Sequence, residues 1–384
     1  MVSYKPNEPD KGIIGEITNK IRASMREWYG SGSRLNAAGP EIRTYQYCFM
    51  LRYPVSVSST QQKGILVKIR RNPKMDALHQ AIQADIHQTM IFEYQTLEFL
   101  YTHLAQAGDE FGAIRPLLFM EKYFAILMEE YPSRTMRQLM ETQRTARARW
   151  ETSELKDAAR KTGRWLYTFH YRINTPLDKQ YSGRDILQEL QPYAERIETS
   201  SHGRLRAGPI LEAFSSKLEG LQIDRVKFSQ CHLDMTTNNV LYSEEGKVCI
   251  IDLKNRLAPI YADLGLILTY PETSKPQIFS GGTYYSETLL RKYRAEIIDG
   301  YFEQEPGDEV LVRIYSALKI VDKWAMYEEL MGRYKGLKRT LSIPAGPLVS
   351  MYFQNLVRKY LALIKDGQPG PARKLDQTTV DSSL

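Results

Sequence analysis

The sequence predicts an α+β chain: a β-rich first part with one long helix, then a larger and mainly helical second part. Three observations carry this. Strand-forming residues concentrate at 44–69 and again at 117–128. A helical pattern free of Pro and Gly fills the interval between them, over 76–107. Beyond residue 135, amphipathic helical patterns dominate, broken by one central hairpin at 240–251.

Taken in order, residues 1–12 are polar and Pro-bearing and read as a loose arm. Residues 13–29 follow helical spacing and stop at Gly30-Ser31-Gly32-Ser33. That segment either ends the helix or offers backbone N–H groups to phosphates; it lacks a G-x-G-x-x-G pattern. Residues 44–53 and 64–69 read as two strands joined by a loop at 56–62. Lys68 is the one charge between Val67 and Ile69, on a strand otherwise made for burial. A solvent-facing lysine is the plain alternative. The 76–107 helix places Ile82, Ile86, Met90, Leu97, Leu100 and Leu104 at three- and four-residue steps, and it also carries Glu93 and Glu98.

Two further strands, 117–120 and 123–128, run into Glu129-Glu130-Tyr131-Pro132, an extended polar interruption. Helical patterns follow at 153–172, 185–197, 210–221, 285–302, 310–330 and 348–364. His170, near the end of the first of these, reads as a packed structural histidine. Residues 366–384 have no periodicity and are expected to be disordered.

Composition sets the class. With 384 residues, 42% hydrophobic and 25% charged, the chain is globular and large enough for one big core or two ordinary ones. No apolar run approaches the roughly 18 residues of a membrane span, and the first residues lack a signal-peptide core. The three cysteines lie far apart without metal-ligand spacing, which suits a reducing, cytoplasmic setting. A net charge of +7 favours anionic partners such as a nucleotide, a phosphorylated sugar or, by peripheral contact, a membrane headgroup. The basic clusters at 68–71 and 144–149 belong to no compact recognition module, so nucleic acid is not an expected partner. Oligomeric state leaves no mark on the sequence.

The chemistry concentrates in 231–252. Asp234 and Asn239 precede a short strand, Asp252 follows the next, and a hairpin of that size brings all three to one end. Carboxylates converging there repel one another unless a cation sits among them, and hard oxygen donors of this kind suit Mg²⁺. Phosphoryl transfer needs such a set: an Asp to take the acceptor proton, and an Asn and a second Asp for the metal.

The spacing H-x-D-x-x-x-x-N over 232–239, an apolar strand and then Asp252 resemble the catalytic and metal loops of the protein-kinase-like superfamily. His232-Leu233-Asp234 and Tyr261-Ala262-Asp263-Leu264-Gly265 look most like its aminoglycoside phosphotransferase and choline kinase branch. The resemblance covers residues 30 to 270. It implies a bilobal fold, with a small antiparallel β-sheet N-lobe and a mainly α-helical C-lobe. The corresponding division is an N-terminal arm and helix at 1–29, a nucleotide-binding N-lobe at 30–131, a catalytic and acceptor-binding C-lobe at 132–365, and a tail at 366–384.

The same resemblance implies ATP and Mg²⁺ as cofactors and transfer of the γ-phosphate to a hydroxyl. Asp234 would be the catalytic base, Asn239 and Asp252 the metal ligands, and Asp263 the brace of a loop organised by His232. Lys68 would hold the α- and β-phosphates, paired with Glu93 in preference to Glu98. Backbone groups of Glu129, Glu130 and Tyr131 would read the adenine edge. Three departures stand out: Leu233 where the aminoglycoside enzymes usually have glycine, Leu253 where an aromatic usually follows the metal Asp, and Lys254 where an acid is frequent. Lys254 either holds an anionic acceptor or pairs with Glu244 or Glu245. The basic charge suits a neutral or anionic small molecule, such as a sugar, polyol or polysaccharide-linked glycan, better than an aminoglycoside. A pseudokinase without turnover is the alternative. A protein kinase is disfavoured, because no A-P-E segment follows Asp252.

Overall fold

The computed structural model describes residues 2–37, 39–58, 61–72, 74–82, 87–104, 107–145, 150–201, 203–219, 221, 223–332 and 337–364. The chain divides into two compact units. One comprises Met1–Ser133, Ser243–Glu245 and Cys249–Ile251; the other comprises Arg134–Tyr242, Gly246–Val248 and Asp252–Leu384.

The first unit runs β1 (Val2–Ser3), α1 (Glu8–Tyr29), β2 (Arg34–Leu35), β3 (Glu41–Thr44), β4 (Cys48–Ser56), β5 (Gln62–Arg70), α2 (Leu78–Ile82), α3 (His87–Leu104), β6 (Pro116–Met120) and β7 (Ala125–Glu129). Its sheet is antiparallel, in the order β1-β3-β4-β5-β7-β6, with β2 also paired to β4. β4 alternates strictly, burying Phe49, Leu51, Tyr53 and Val55 against Ile65, Val67 and Ile69 of β5 and the Ile17, Ile21, Met25 and Trp28 face of α1.

The segment expected as a loose arm is tied down. β1 pairs with β3, and α1 starts at Glu8 with a capping box between Asn7 and Asp10. The fully buried Asp10 also accepts from the His79 amide at 2.9 Å and the Tyr4 hydroxyl. The expected strand over 44–53 is two strands, because Tyr45 N–H donates to Cys48 C=O at 2.8 Å and closes a turn with Tyr47 exposed. Gly30 and Ser33 finish α1: Gly30 N–H donates to Arg26 C=O at 3.0 Å, and Ser33 Oγ to the carbonyls of Met25 and Gly30. The helix expected over 76–107 appears as α2 and α3, with 83–86 outside the described residues.

The second unit begins within β8 (Ser133–Thr135) and continues with α4 (Met136–Thr145), α5 (Glu154–Tyr167), a π-helical turn (Thr168–Ile173), β9 (Leu177–Gln180), α6 (Gly183–Ser200) and α7 (Ala207–Leu218). Then come β10 (Arg225–Cys231), β11 (Val240–Ser243), β12 (Val248–Ile250), β13 (Arg256–Pro259), α8 (Tyr261–Thr269), α9 (Lys275–Phe279), α10 (Glu287–Tyr301), α11 (Glu309–Gly332) and α12 (Leu337–Ala362). β11 and β12 are neighbouring strands, and they form the hairpin expected at 240–251.

A three-stranded sheet, β13-β10-β9, was absent from the sequence expectation of helix on both sides of the hairpin. Its strands are short and polar; β10 buries only Val226, Ser229 and Cys231. Glycines set two close helix packings. A Cβ on Gly300 of α10 would lie 2.0 Å from Arg160 C=O of α5, and one on Gly265 of α8 would lie 2.6 Å from the Tyr315 backbone of α11. Both places need the missing side chain. α8 is buried along its whole length, which fixes Asp263 rigidly in the core. Residues 366–384 lie outside the described residues.

Candidate active site

In the first unit Lys68 sits in the middle of β5, opposite Met50 of β4 and Ile126 of β7. Such a lysine needs an anion, since a desolvated ammonium without one is strongly disfavoured. Glu93 of α3 supplies it, with Oε1 2.5 Å from Nζ, and its Oε2 forms a longer ion pair with Arg70 Nε at 3.5 Å. The helix places Glu93, not Glu98, at this lysine.

β7 ends at Glu129, whose amide donates to Arg115 C=O at 2.9 Å and whose carboxylate takes Lys63 Nζ at 2.5 Å. The Glu130 amide donates to Gly64 C=O at 2.7 Å, and its carboxylate receives Arg52 Nε at 2.7 and 2.9 Å. A Cβ on Gly64 would meet that carboxylate at 1.9 Å. The expectation concerned backbone C=O and N–H groups from Glu129 to Tyr131, and these bonds bear on its N–H groups alone. Two are spent inside the sheet, which leaves the Tyr131 N–H as the candidate donor.

In the second unit the 232–239 loop leaves β10 and is clamped from below by Asp263. One carboxylate oxygen accepts the His232 amide at 2.6 Å and the other the Leu233 amide at 2.6 Å. His170, from the π-helical turn, reaches the same carboxylate with Nε2 at 3.1 Å and the Tyr301 hydroxyl with Nδ1 at 2.9 Å. His170, His232 and Asp263 are all fully buried. Burial alone would raise the Asp263 pKa, yet the hydrogen bond and charge of His170, with His232 and its amide, hold it below the ordinary carboxylate value. Asp263 therefore stays ionised and accepts three donors.

The loop then folds on itself. Asp234 N–H donates to His232 Nδ1 at 3.1 Å, so His232 acts here as an acceptor that shapes the turn. Asn239 Nδ2 donates to Asp234 C=O at 2.9 Å, so Oδ1 is the acceptor atom of that amide. Lys254 N–H donates to His232 C=O at 3.1 Å and draws the segment after β12 against the loop. Lys254 Nζ lies 3.7 Å from Asp234 Oδ2, a partner that neither expected reading of this lysine named.

Leu233, Asp252 and Asn255 have φ of 56°, 61° and 47°, left-handed values that non-glycine residues rarely adopt. This explains why glycine suits position 233. Leu233 is held there by the bond from its amide to Asp263. Asp252 is exposed, and with Asn239 Oδ1 it offers oxygen donors of the kind Mg²⁺ takes. The donor set fits that ion.

His170, Cys231 and Asp263 also lie within 4.8 Å of one another. Their contacts are spent internally: the Cys231 thiol donates to Ala258 C=O at 3.4 Å, and burial pushes its pKa well up. The cluster is structural. The sequence pattern did not point to Tyr301 or to the pairing of His170 with Asp263, because residues this far apart in the chain share no periodicity.

No family model matches the chain. Among solved structures, a putative aminoglycoside phosphotransferase from Ralstonia eutropha JMP134 superposes with a TM-score of 0.54 at 14% identity, over 89% of this chain and 98% of that one. The chain has a protein-kinase-like fold. A glucosamine kinase in complex with glucosamine, ADP and inorganic phosphate gives 0.54 at 12% identity, over 93% of this chain and 88% of that one. A choline kinase from Cryptosporidium parvum Iowa II gives 0.51 at 12%, over 91% and 96%. In this kinase-like fold the loop after β10 carries Asp234 and the segment after β12 carries Asp252.

A curated relative, the chloroplastic folate transporter 1 of Arabidopsis thaliana, is 23% identical over 196 residues, 50% of this chain and 56% of that protein. The chain thus spans just over half the length of that relative. Among the described residues no helix is long and apolar enough to cross a membrane.

Proposed function

We propose that the protein is an ATP-dependent phosphotransferase that moves the γ-phosphate to a hydroxyl of a small molecule or glycan. The carrying observation is the loop in which Asp263 clamps two successive amides and Asn239 bonds the Asp234 backbone. That network fixes Asp234 and Asn239 in one rigid turn, as preorganised catalysis requires.

Residues 30–131 would bind the nucleotide. The Lys68 ammonium, held by Glu93, would contact the α- and β-phosphates, and the Tyr131 amide the adenine edge. Residues 132–365 would carry the transfer and the acceptor. Asn239 and Asp252 would hold Mg²⁺, which would supply positive charge to offset that of the phosphates. Asp234 would orient the acceptor hydroxyl and take its proton as the oxygen–phosphorus bond forms and ADP leaves with the bridging oxygen. His232 and Asp263 would position Asp234 without touching substrate.

The test is an acceptor screen with γ-labelled ATP, on wild type and Asp234→Asn. Label should move to one acceptor class in wild type, and Asp234→Asn should lower kcat by about 10²–10⁴ while nucleotide binding persists. Equal turnover in the variant would remove Asp234 from the chemistry.

A further inference from the structure

The surroundings of Asp234 are cationic. Besides Lys254, the half-buried Lys323 of α11 reaches the same region. Its ammonium lies 5.4 Å from the centre of the Tyr270 ring, and the Tyr270 hydroxyl accepts from Asn238 Nδ2 of the catalytic loop at 3.1 Å. In α11 Lys323 lies between Asp322 and the buried Trp324.

Neighbouring charges already have partners. Asp322 pairs with Arg196 at 2.9 Å, Lys319 with Glu189 at 3.8 Å, and Arg137 of α4 reaches Glu141 at 4.0 Å. Among the described residues no carboxylate lies within salt-bridge distance of Lys323; its hydrogen-bond contact is Met326 Sδ at 3.8 Å. Burial lowers the Lys323 pKa; Asp322 and Asp234 pull it back up, and Lys254 and Lys319 push it further down. A half-buried ammonium near other cations is favoured by binding an anion. Lys323 also occupies the Tyr270 face, where a cationic ligand would otherwise be attracted by the ring.

Resting on the phosphotransferase reading, we propose that Lys254 and Lys323 form an anion subsite beside Asp234, and that the acceptor is a hydroxyl compound bearing a phosphate or carboxylate group. On this reading the anion draws Lys254 away from Asp234 and leaves the carboxylate to meet the acceptor hydroxyl. A choline- or aminoglycoside-like cation would be repelled at the same place.

The experiment uses the full chain, with Lys254→Gln and Lys323→Gln as variants. Calorimetry with inorganic phosphate, with and without saturating AMP-PNP and Mg²⁺, should show a site in wild type that either variant weakens at least about tenfold. Turnover is then compared within matched sets: glucose, glucose 6-phosphate and gluconate, and glycerol, glycerol 3-phosphate and glycerate, with choline as the cation. The preferred member should be anionic, and Lys323→Gln should raise its KM about tenfold or more with little change in kcat. The phosphate and carboxylate arms distinguish the two sources of charge. Equal phosphate affinity in all three proteins, or preferred turnover of a neutral or cationic acceptor unaffected by Lys323→Gln, overturns the subsite. Absence of AMP-PNP binding in wild type would instead bring down the phosphotransferase reading, and phosphate binding without nucleotide still reports on the two lysines.

Discussion

At the candidate site Asp263 holds two loop amides and His170 with a single buried carboxylate. Asparagine there turns one acceptor oxygen into an N–H donor facing another donor. Asp263→Asn should cost about 2–4 kcal/mol of stability, read from urea midpoints. The acid limb gives a second readout. The folded pKa is lowered, so the stabilisation is present above the unfolded value of about 3.9 and is lost as pH falls through the folded pKa. Between pH 5 and about pH 3 the wild type should therefore lose more stability than Asp263→Asn.

The Lys68–Glu93 pair behaves differently, because its side chains keep 11% and 14% exposure. Lys68→Met strands the Glu93 charge with only the longer Arg70 contact, and should destabilise by about 2 kcal/mol, below the 3–5 of a fully buried pair. Adding Glu93→Leu should recover most of that loss. A double-mutant cycle in urea measures both. No recovery would mean that packing, not charge, dominates at this place.

At the scale of elements, two glycines make opposite predictions. Alanine has higher helix propensity than glycine by about 1 kcal/mol. At Gly300 the new methyl would lie 2.0 Å from a backbone carbonyl of α5, and overpacking of about 1–3 kcal/mol or more outweighs that gain. At Gly12 of α1 a Cβ meets nothing within 4 Å, so alanine should stabilise by about 0.5–1 kcal/mol. Thermal melts of Gly300→Ala and Gly12→Ala should shift in opposite directions.

Elements with clear periodicity were legible before the structure. Val240 and Cys249 lie in the central hairpin, and the 285–302 and 310–330 patterns coincide with α10 and α11 to within a few residues. The elements without such periodicity depend on partners distant in sequence. β10 reads as polar because its face is completed by β9 and β13 and by the His170 carbonyl, to which Ser229 Oγ donates at 2.9 Å. The first residues look unstructured because Tyr4 and Asp10 find their partners near residue 78. At the candidate site, residue types and spacing suggested Asp234, Asn239 and Asp252. The Asp263–His170–Tyr301 chain, the committed Glu129 and Glu130 amides and the position of Lys323 needed three dimensions.

Over the whole molecule, the net charge of +7 and the basic surroundings of Asp234 point the same way, toward phosphate-bearing ligands. The fold is that of kinases, and on the proposed reading this chain uses it on ATP with a divalent metal. Calorimetric titration of ATP with and without Mg²⁺, on wild type and Asp252→Asn, is the deciding measurement. Wild type should bind more tightly with Mg²⁺, and Asp252→Asn should retain nucleotide binding but lose most of the metal dependence. Identical metal dependence in the two proteins, or no nucleotide binding by a folded wild type, would contradict that reading.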